Sequence, residues 1–124
     1  MNAPSGKLHN LTSLSLRGCY LLHDVGLSSF LNLCSDKLTT LNVSHTKVSG
    51  VGLNVPSGKL SNLTNLDLEY CSELDDAGLS SFLNLCSDQL ITLDVSGVYI
   101  SEEFLANVQT SQPGLKIRID SDLD

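Results

Sequence analysis

Short alternations of apolar and polar residues recur along the chain at nearly constant spacing. Each alternation begins with a leucine, at Leu11, Leu38, Leu63 and Leu90, and continues as L-x-x-L-x-L or L-x-x-L-x-V. The four starts are about 27, 25 and 27 residues apart. Alternation places the apolar residues on one side of a short strand and the polar residues on the other. The pattern therefore predicts four similar strands, each buried on one side only.

The segments that follow the first and third strands have helical spacing, with apolar residues at i, i+3, i+4 and i+7. These residues are Leu27, Phe30, Leu31 and Cys34 in the first repeat and Leu79, Phe82, Leu83 and Cys86 in the third. They define the predicted buried face of each helix. Asp24 and Asp76 are the predicted N-caps. Crossovers of this length join consecutive strands in parallel.

The second and fourth repeats differ from this plan. Three glycines and a proline lie between residues 49 and 58, which predicts a turn or a short 3₁₀ piece instead of a full helix. In the fourth repeat Ser101 is the predicted N-cap, with Phe104, Leu105 and Val108 on the buried face. Residues 115–120 then alternate apolar and charged positions, which predicts a C-terminal capping strand.

The larger repeating unit is a pair of these repeats. Residues 2–53 and 54–105 are identical at about 32 of 52 aligned positions. One repeat cannot bury its apolar side alone, so stacked repeats share a continuous core. We expect a single α/β domain over 1–124, a solenoid with a concave parallel sheet of four or five strands and with helices and turns on the convex side. The chain begins in mid-repeat without a distinct cap, so we expect a fragment of a longer array; a naturally small protein is the alternative.

The frame of residues 63–79, L-x-x-L-x-L-x-x-C followed by D-x-G-L, resembles that of the leucine-rich repeat family. Cys19 and Cys71 at the turn resemble its cysteine-containing subclass, and Thr46 and Val98 resemble variants of the same repeat. The resemblance covers about residues 5–120. It implies a horseshoe-shaped solenoid and a recognition scaffold. The setting it implies is either an adaptor, such as the substrate receptor of an F-box-type ubiquitin ligase, or a receptor of innate immunity.

Net charge and sequence motifs argue against several classes of partner and activity. The net charge is −7, from 7 basic and 14 acidic residues, which disfavours nucleic acid and anionic membrane surfaces as partners. No apolar run is long enough to insert across a membrane. The chain has no G-x-S-x-G, H-E-x-x-H or phosphate-loop motif, and His9, His23 and His45 occupy different repeat positions. We therefore expect no enzyme activity, no cofactor and no metal site.

Cysteines and asparagines give opposite indications of the compartment. Cys19 and Cys71 share one position two strands apart, about 10 Å, which is too far for a disulfide. Cys34 and Cys86 are separated in the same way, so four free and mostly buried thiols are predicted. Free thiols favour the cytoplasm. An extracellular location is the alternative, because N-x-S/T sequons occur at residues 10, 42 and 62.

The candidate binding surface is the concave face and its rim. The solvent-side columns are Ser15, Asn42, Asp67, Asp94 and Arg118; Arg17, Ser44, Glu69 and Ser96; and at the edge Gly18, His45, Tyr70 and Gly97. The two halves of the chain differ mainly in these columns and in the adjacent positions 20, 47, 72 and 99. Divergence on one face is typical of a binding surface, although exposed positions also drift freely. The predicted partner-binding residues are Arg17, Asn42, His45, Asp67, Glu69, Tyr70, Asp94 and Tyr99.

The chemistry of this face indicates a protein partner. The carboxylates favour a basic partner, and the tyrosines are the predicted anchors. The sheet offers on the order of 300 Å², below the roughly 800 Å² per partner of a stable interface, so binding by the sheet alone should be weak. The alternative function is self-association, with a homodimer formed through the N-terminal edge around Leu8, Leu11, Leu14 and Leu16.

Overall fold

The computed structural model describes residues 10–34 and 36–120 as a repeating strand and crossover arrangement. Its elements, in chain order, are β1 (Ser13–Ser15), α1 (Asp24–Leu33), β2 (Thr40–Asn42), β3 (Asn65–Asp67), α2 (Asp76–Leu85), β4 (Thr92–Asp94), α3 (Glu102–Ser111) and β5 (Lys116–Arg118). The strands form one parallel sheet in the order of the chain. The predicted α/β solenoid with a parallel sheet of four or five strands is confirmed, and the sheet has five.

The second crossover, between β2 and β3, contains turns and no helix among the described residues. Gly50 and Gly58, at φ +90° and +77°, adopt the left-handed backbone conformation that a side chain disfavours. The prediction of a turn in place of a full helix is confirmed. This compact crossover lies between α1 and α2 in the chain and contacts both of them.

The core lies between the sheet and the crossovers. The central residue of each strand is in register with the next, in the row Leu14, Leu41, Leu66, Leu93 and Ile117. The three inner members of that row are at most 1% exposed, whereas Leu14 and Ile117 at the two sheet edges are half-buried. Each strand therefore buries its apolar side against the neighbouring repeats, as the stacking of solenoid repeats requires.

The predicted N-caps of the first two helices are wrong by one residue. The helices begin at Asp24 and Asp76, so the cap positions are His23 and Asp75. Asp75 accepts a hydrogen bond from the Gly78 N–H at 3.0 Å, whereas the side chain of His23 makes no capping bond. Ser101 caps α3 as predicted, by accepting the Phe104 N–H at 3.1 Å.

Asp24 and Asp76 instead reach forward to the next repeat. Asp24 is buried and accepts four hydrogen bonds, from the backbone N–H groups of Ser49, Gly50 and Gly52 and from the Ser49 hydroxyl, at 2.7 to 3.0 Å. Asp76 accepts one, from the Ser101 N–H at 2.8 Å. These carboxylates join consecutive repeats, which is a longer-range role than capping.

Two predicted helix faces are less buried than expected. Phe30 of α1 is 37% exposed, whereas the equivalent Phe82 of α2 is fully buried. The reason is position, because described repeats pack on both sides of α2, while α1 is the first described helix. In α3 no residue is fully buried, and Phe104, Leu105 and Val108 are half-buried near the end of the array. No helix in the described part of the chain is long and apolar enough to cross a membrane.

All four cysteines are free, as predicted, but Cys19 is exposed and not buried. Native protein should therefore show one thiol that reacts rapidly with a disulfide reagent and three that react slowly. Burial raises the pKa of the Cys34 and Cys71 thiols, and raises the pKa of Cys86 to about 12, so these groups carry little thiolate at neutral pH. The Cys19→Ser variant should lose the rapid phase. Rapid reaction of two or more thiols in the wild type would contradict the burial of Cys34, Cys71 and Cys86.

Candidate partner-binding face

The strand ends bring one polar side chain from each repeat into a single row on the solvent side of the sheet. The row is Ser15, Asn42, Asp67, Asp94 and Arg118. Its last four members line a depression of about 670 Å³ that extends over β2 to β5. We refer to this row, together with Arg17 and Glu69, as the sheet face.

The acidic and amide side chains of the row also hold the turns that end the strands. Oδ1 of Asn42, Asp67 and Asp94 each accepts the backbone N–H two residues further on, at 2.9 to 3.0 Å. Such Asx turns explain why each of these strands ends in Asn or Asp. Asn42 makes this bond without a charge, so the turn does not require the negative charges at 67 and 94.

Three carboxylates meet at the centre of the sheet face. Asp67, Glu69 and Asp94 each place a carboxylate oxygen within 4.8 Å of the other two. We call this trio the acidic centre. Arg17, two residues after the end of β1, contacts it, with its guanidinium 3.3 Å from Glu69 Oε1 and 3.0 Å from the Ser44 hydroxyl. Carboxylate oxygens of this kind suit Ca²⁺ or Mg²⁺ as well as the cationic group of a protein side chain.

Burial and the neighbouring carboxylates together raise the pKa of Asp67. Its pKa is raised because the side chain is partly removed from water and because Asp94 and Glu69 are negatively charged. The hydrogen bond from the Glu69 N–H and the charge of Arg17 act in the opposite direction but do not cancel the increase. A positive charge brought between these carboxylates would therefore be stabilised electrostatically.

The second of the predicted solvent-side columns is only partly exposed. It consists of Arg17, Ser44, Glu69 and Ser96. Ser44 and Ser96 are 0% and 2% exposed, so their prediction as solvent-side positions is wrong. Their short side chains lie below the level of the longer neighbours Arg17 and Glu69. Ser44 donates to Asn42 Oδ1 at 2.6 Å, while the Ser96 hydroxyl has no partner among the described residues. Arg17 is exposed, and Glu69 is half-buried.

The rim of the face is a column of residues with positive φ. Gly18, His45, Tyr70 and Gly97 have φ of 80°, 59°, 56° and 73°. We call these four residues the left-handed column. His45 and Tyr70 adopt this conformation although they carry side chains, and their rings stack with centroids 5.0 Å apart and an interplanar angle of 28°. The sequence shows that this column consists of two aromatic residues between two glycines, but the shared backbone conformation was not predicted.

The structure brings seven of the eight predicted binding residues onto one continuous surface and separates the eighth. Tyr99 is 90% exposed but lines a different depression, beside Asp75, Asp76 and Ser101. Tyr20 and Lys47, which were outside the predicted set, line a depression with Arg17 and His45. Positions 20 and 47 were predicted to lie next to this column but were not included among the binding residues.

Comparison with known protein families identifies the family to which this repeat frame belongs. The family model described as Leucine Rich repeat matches residues 7–31, 35–54 and 59–83, more than half of the chain. The chain belongs to the leucine-rich repeat family. Leucine-rich repeats commonly mediate protein–protein interaction, and the family generally serves as a non-enzymatic interaction scaffold. No solved structure matches this leucine-rich repeat chain significantly.

The turn position of the leucine-rich repeat frame holds a side-chain donor in both the second and the third repeat. The Thr46 hydroxyl donates to the Val43 carbonyl of its own repeat at 2.7 Å, and the Cys71 thiol donates to the same carbonyl from the following repeat at 3.1 Å. One backbone carbonyl thus links the turns of the two repeats. The resemblance to the cysteine-containing subclass stays a prediction.

Replacing Asp67 by asparagine should stabilise this leucine-rich repeat protein at neutral pH. Asparagine keeps the Asx turn, as Asn42 does in the second repeat, and removes one of three crowded charges. Because the folded-state pKa of Asp67 lies above the ordinary 3.8, its charge costs stability at pH 7, and the cost disappears below pH 3.8, where both states are protonated. We expect a gain on the order of 0.5 kcal/mol at pH 7 and none at pH 3, measured by denaturant unfolding. An equal gain at both values would show that charge is not its cause.

Proposed function

We propose that this protein is a non-enzymatic recognition module whose concave sheet face binds a basic segment of a partner protein. The observation that carries the proposal is the acidic centre, in which three carboxylates lie within 4.8 Å of one another. Of these three, Glu69 is paired with Arg17, and Asp67 and Asp94 make no ion pair with the described residues. A lysine or arginine of the partner fits between them.

The charges at 67 and 94 have no local structural purpose that an amide could not serve. Asn42 holds the equivalent turn in the neighbouring strand with an uncharged side chain. The raised pKa of Asp67 means that the fold carries an electrostatic cost at this point. Costs of this kind occur where a surface is arranged for a ligand and not for stability. A cationic side chain would relieve the repulsion, which supports a basic partner.

The rim adds contact area to the sheet. Arg17 and Asn42 border the acidic centre, and His45 with Tyr70 forms an aromatic step beside it. Exposed aromatic side chains contribute much of the affinity of protein interfaces. Tyr99 lies in a separate depression and would contact only a partner that continues past α2. Because the sheet is small, we expect micromolar affinity from this part of the chain, carried largely by electrostatics.

The setting we favour is the cytoplasm, in an adaptor role. Four free cysteines support a reducing compartment. The sequon residues Asn42 and Asn62 hold protein contacts, because Asn42 accepts bonds from Ser44 and Asn62 donates to the Asp36 carbonyl at 2.7 Å. A secreted, glycosylated form is the alternative. The cytoplasmic form would suit the substrate receptor of a ubiquitin ligase, and the secreted form would suit a receptor of innate immunity. Mass spectrometry of the protein from its natural source distinguishes the two.

Selection from a random peptide library tests the proposal for a partner of any sequence. Peptides of about 12 residues, displayed on phage, are selected on the wild type and in parallel on the Asp67→Asn/Asp94→Asn double variant. We expect the wild type to enrich peptides with lysine or arginine, and their affinity to fall at least about tenfold on the double variant. The Glu102→Gln/Glu103→Gln variant removes the same two charges from α3 and should bind within about twofold of the wild type. Equal enrichment on wild type and double variant would refute a role for the acidic centre.

Self-association is the second candidate, and it rests on β1. This strand pairs with β2, and no other described strand covers its outer edge. Leu11, Leu14 and Leu16 are half-buried, whereas their counterparts in the next repeat are fully buried. Leu8, the remaining residue of the predicted interface, lies outside the described residues. Light scattering should then report a dimer at millimolar concentration that the Ser13→Lys/Ser15→Lys variant dissociates; a strict monomer removes this candidate.

A further inference from the structure

The left-handed column contains a stack of two aromatic rings, His45 and Tyr70. The stack does not extend to Gly18, the member of the column in the first repeat. His45 stacks on Tyr70, and Tyr70 lies over Gly97, because a Cβ atom at residue 97 would come within 2.5 Å of the Tyr70 ring. Gly97 is thus the base on which the stack rests. At the other end, a Cβ atom at Gly18 would meet nothing within 4 Å. The place next to His45 in the direction of β1 is open.

The geometry of the sheet sets the size of that open place. Neighbouring parallel strands lie about 4.8 Å apart. The His45 and Tyr70 centroids are 5.0 Å apart, so the stack follows the strand spacing. One further ring at the same spacing would lie against the free face of His45, on the side towards Gly18. This place borders a depression that Gly18 and His45 both line.

The conformation of the column favours a functional reason for its aromatic residues. Positive φ suits glycine, which occupies the equivalent positions in the first and fourth repeats. His45 and Tyr70 adopt it at a cost in backbone strain. Strained residues that persist on an exposed surface are typical of ligand contacts. The two rings together form a platform that glycine could not provide.

The open place is part of a depression of about 440 Å³ with a positive border. Its lining includes Arg17, Gly18, Tyr20, His45 and Lys47, and no acidic residue of the described chain. The Lys47 ammonium makes no ion pair with the described residues, and Tyr20 is 70% exposed. Two of the seven basic residues of an acidic protein thus meet here. A ligand that complements this depression has an aromatic ring with a negatively charged group next to it.

We propose that this depression, the Gly18 slot, receives an aromatic side chain of the partner protein that is flanked by acidic residues. The ring stacks on the free face of His45, on the side towards Gly18, and the carboxylates pair with Lys47 and with the outer side of Arg17. The proposal rests on the proposed function, since it names a second contact of the same partner. Arg17 connects the two sites, because it also contacts Glu69 of the acidic centre. The partner segment is then bipolar, with its basic end over the sheet and its acidic aromatic end at the rim.

NMR titration of the full chain with defined peptides tests the slot. The probes are N-acetyl-Glu-Trp-Glu-amide, its alanine analogue Glu-Ala-Glu and its charge-reversed analogue Lys-Trp-Lys. We expect the first probe to shift the amide signals of Gly18, His45 and Lys47 in a saturable way, and to bind at least about tenfold more tightly than the other two. Equal binding of the alanine analogue would overturn the stacking, and equal binding of the charge-reversed analogue would overturn the electrostatic part.

Two variants separate the slot from general effects on the fold. His45→Gly removes the aromatic platform. Glycine already occupies the equivalent position 97 in the fourth repeat, so the melting temperature of the variant should be equal to or above that of the wild type. Binding of the Glu-Trp-Glu probe should fall at least about tenfold. Lys47→Glu should weaken this probe similarly, whereas Lys37→Glu, which makes the same charge change outside the slot, should not. Unchanged affinity in His45→Gly would overturn the proposal.

A nucleotide is the competing occupant, because a base can stack on His45 while phosphates contact Arg17 and Lys47. ATP is therefore included as a probe, and tighter binding of ATP than of Glu-Trp-Glu at the same signals would overturn the peptide assignment. The basic peptides from the library selection test the proposed function separately. If the basic peptides selected through the acidic centre still bind and the Glu-Trp-Glu probe does not, the slot is wrong and the sheet face stands. If neither binds, both are wrong.

Discussion

Gly78→Ala is expected to destabilise the protein by at least about 3 kcal/mol, which is the largest effect that we predict for a single substitution. A Cβ atom at residue 78 would lie 1.7 Å from the carbonyl oxygen of Ser49 and 2.9 Å from its carbonyl carbon. The first turn of α2 therefore packs directly on the backbone of the preceding crossover. Both partners are backbone atoms, so neither can move aside without shifting a repeat. Urea unfolding of the wild type and the variant measures the loss.

Gly26→Ala is the matched control, because Gly26 occupies the same place in α1 and the same D-x-G-L frame. The nearest described atom to a Cβ at residue 26 is Leu22 Cδ1, at 2.9 Å, which is the far end of a flexible side chain. The clash is therefore small, and the better helix propensity of alanine offsets it. We expect a change within about 1 kcal/mol. If both variants lost stability equally, contact with the preceding crossover would not be the reason that residue 78 is glycine.

Asp24→Ala is expected to destabilise the protein by about 3 kcal/mol at pH 7. The buried carboxylate accepts four hydrogen bonds from the next repeat, and its removal leaves the N–H groups of Ser49, Gly50 and Gly52 without their acceptor. Asp76→Ala, the equivalent change in α2, removes a single bond to Ser101 and should cost about 1 kcal/mol. Equal losses in the two variants would show that the hydrogen bonds across repeats do not set the stability.

The pH dependence provides a second measurement of the same contact. Burial by itself raises the pKa of Asp24, but the hydrogen bonds from Gly50, Ser49 and Gly52 together lower it below the ordinary 3.8. A lowered folded-state pKa stabilises the protein above pH 3.8, and this contribution is lost as the pH falls through the folded-state value. The difference in unfolding free energy between the wild type and Asp24→Ala should therefore be constant from pH 5 to 7 and shrink below pH 3.8. A difference that stays constant at low pH would contradict ionic hydrogen bonding.

The repeat period was sufficient to predict the sheet and its register. The row from Ser15 to Arg118 follows from counting residues in copies of one frame, and the structure pairs these residues as expected. The glycines and the proline between residues 49 and 58 predicted that the crossover after β2 has no full helix. Both features depend on local sequence, which patterns of residue types describe directly.

Contacts between repeats were harder to predict. An aspartate just before an apolar helical run suggested an N-cap, yet Asp24 binds the turn of the following repeat, about 25 residues away. The burial of Ser44 and Ser96 depends on the length of the neighbouring side chains, and no single repeat contains that information. The left-handed conformation of His45 and Tyr70 was concealed because glycine marks it only in the other two copies.

The acidic centre shows how the candidate site extends beyond the pattern. Asp67, Glu69 and Asp94 were predicted to face one side, but not to place carboxylate oxygens within 4.8 Å of one another. That distance depends on side-chain orientation across two strands. It changes a list of solvent-side residues into a compact cluster of negative charge, which is the basis of the proposed preference for a basic partner.

The most direct test of the central claim is an NMR titration of the wild-type protein with a basic peptide obtained from the library selection. Binding at the sheet face predicts that the largest amide shifts occur in β2, β3 and β4, around Asp67, Glu69 and Asp94, and that the Asp67→Asn/Asp94→Asn variant weakens the affinity at least about tenfold. Shifts confined to the helices α1 to α3, with the same affinity in the double variant, would contradict recognition through the concave face.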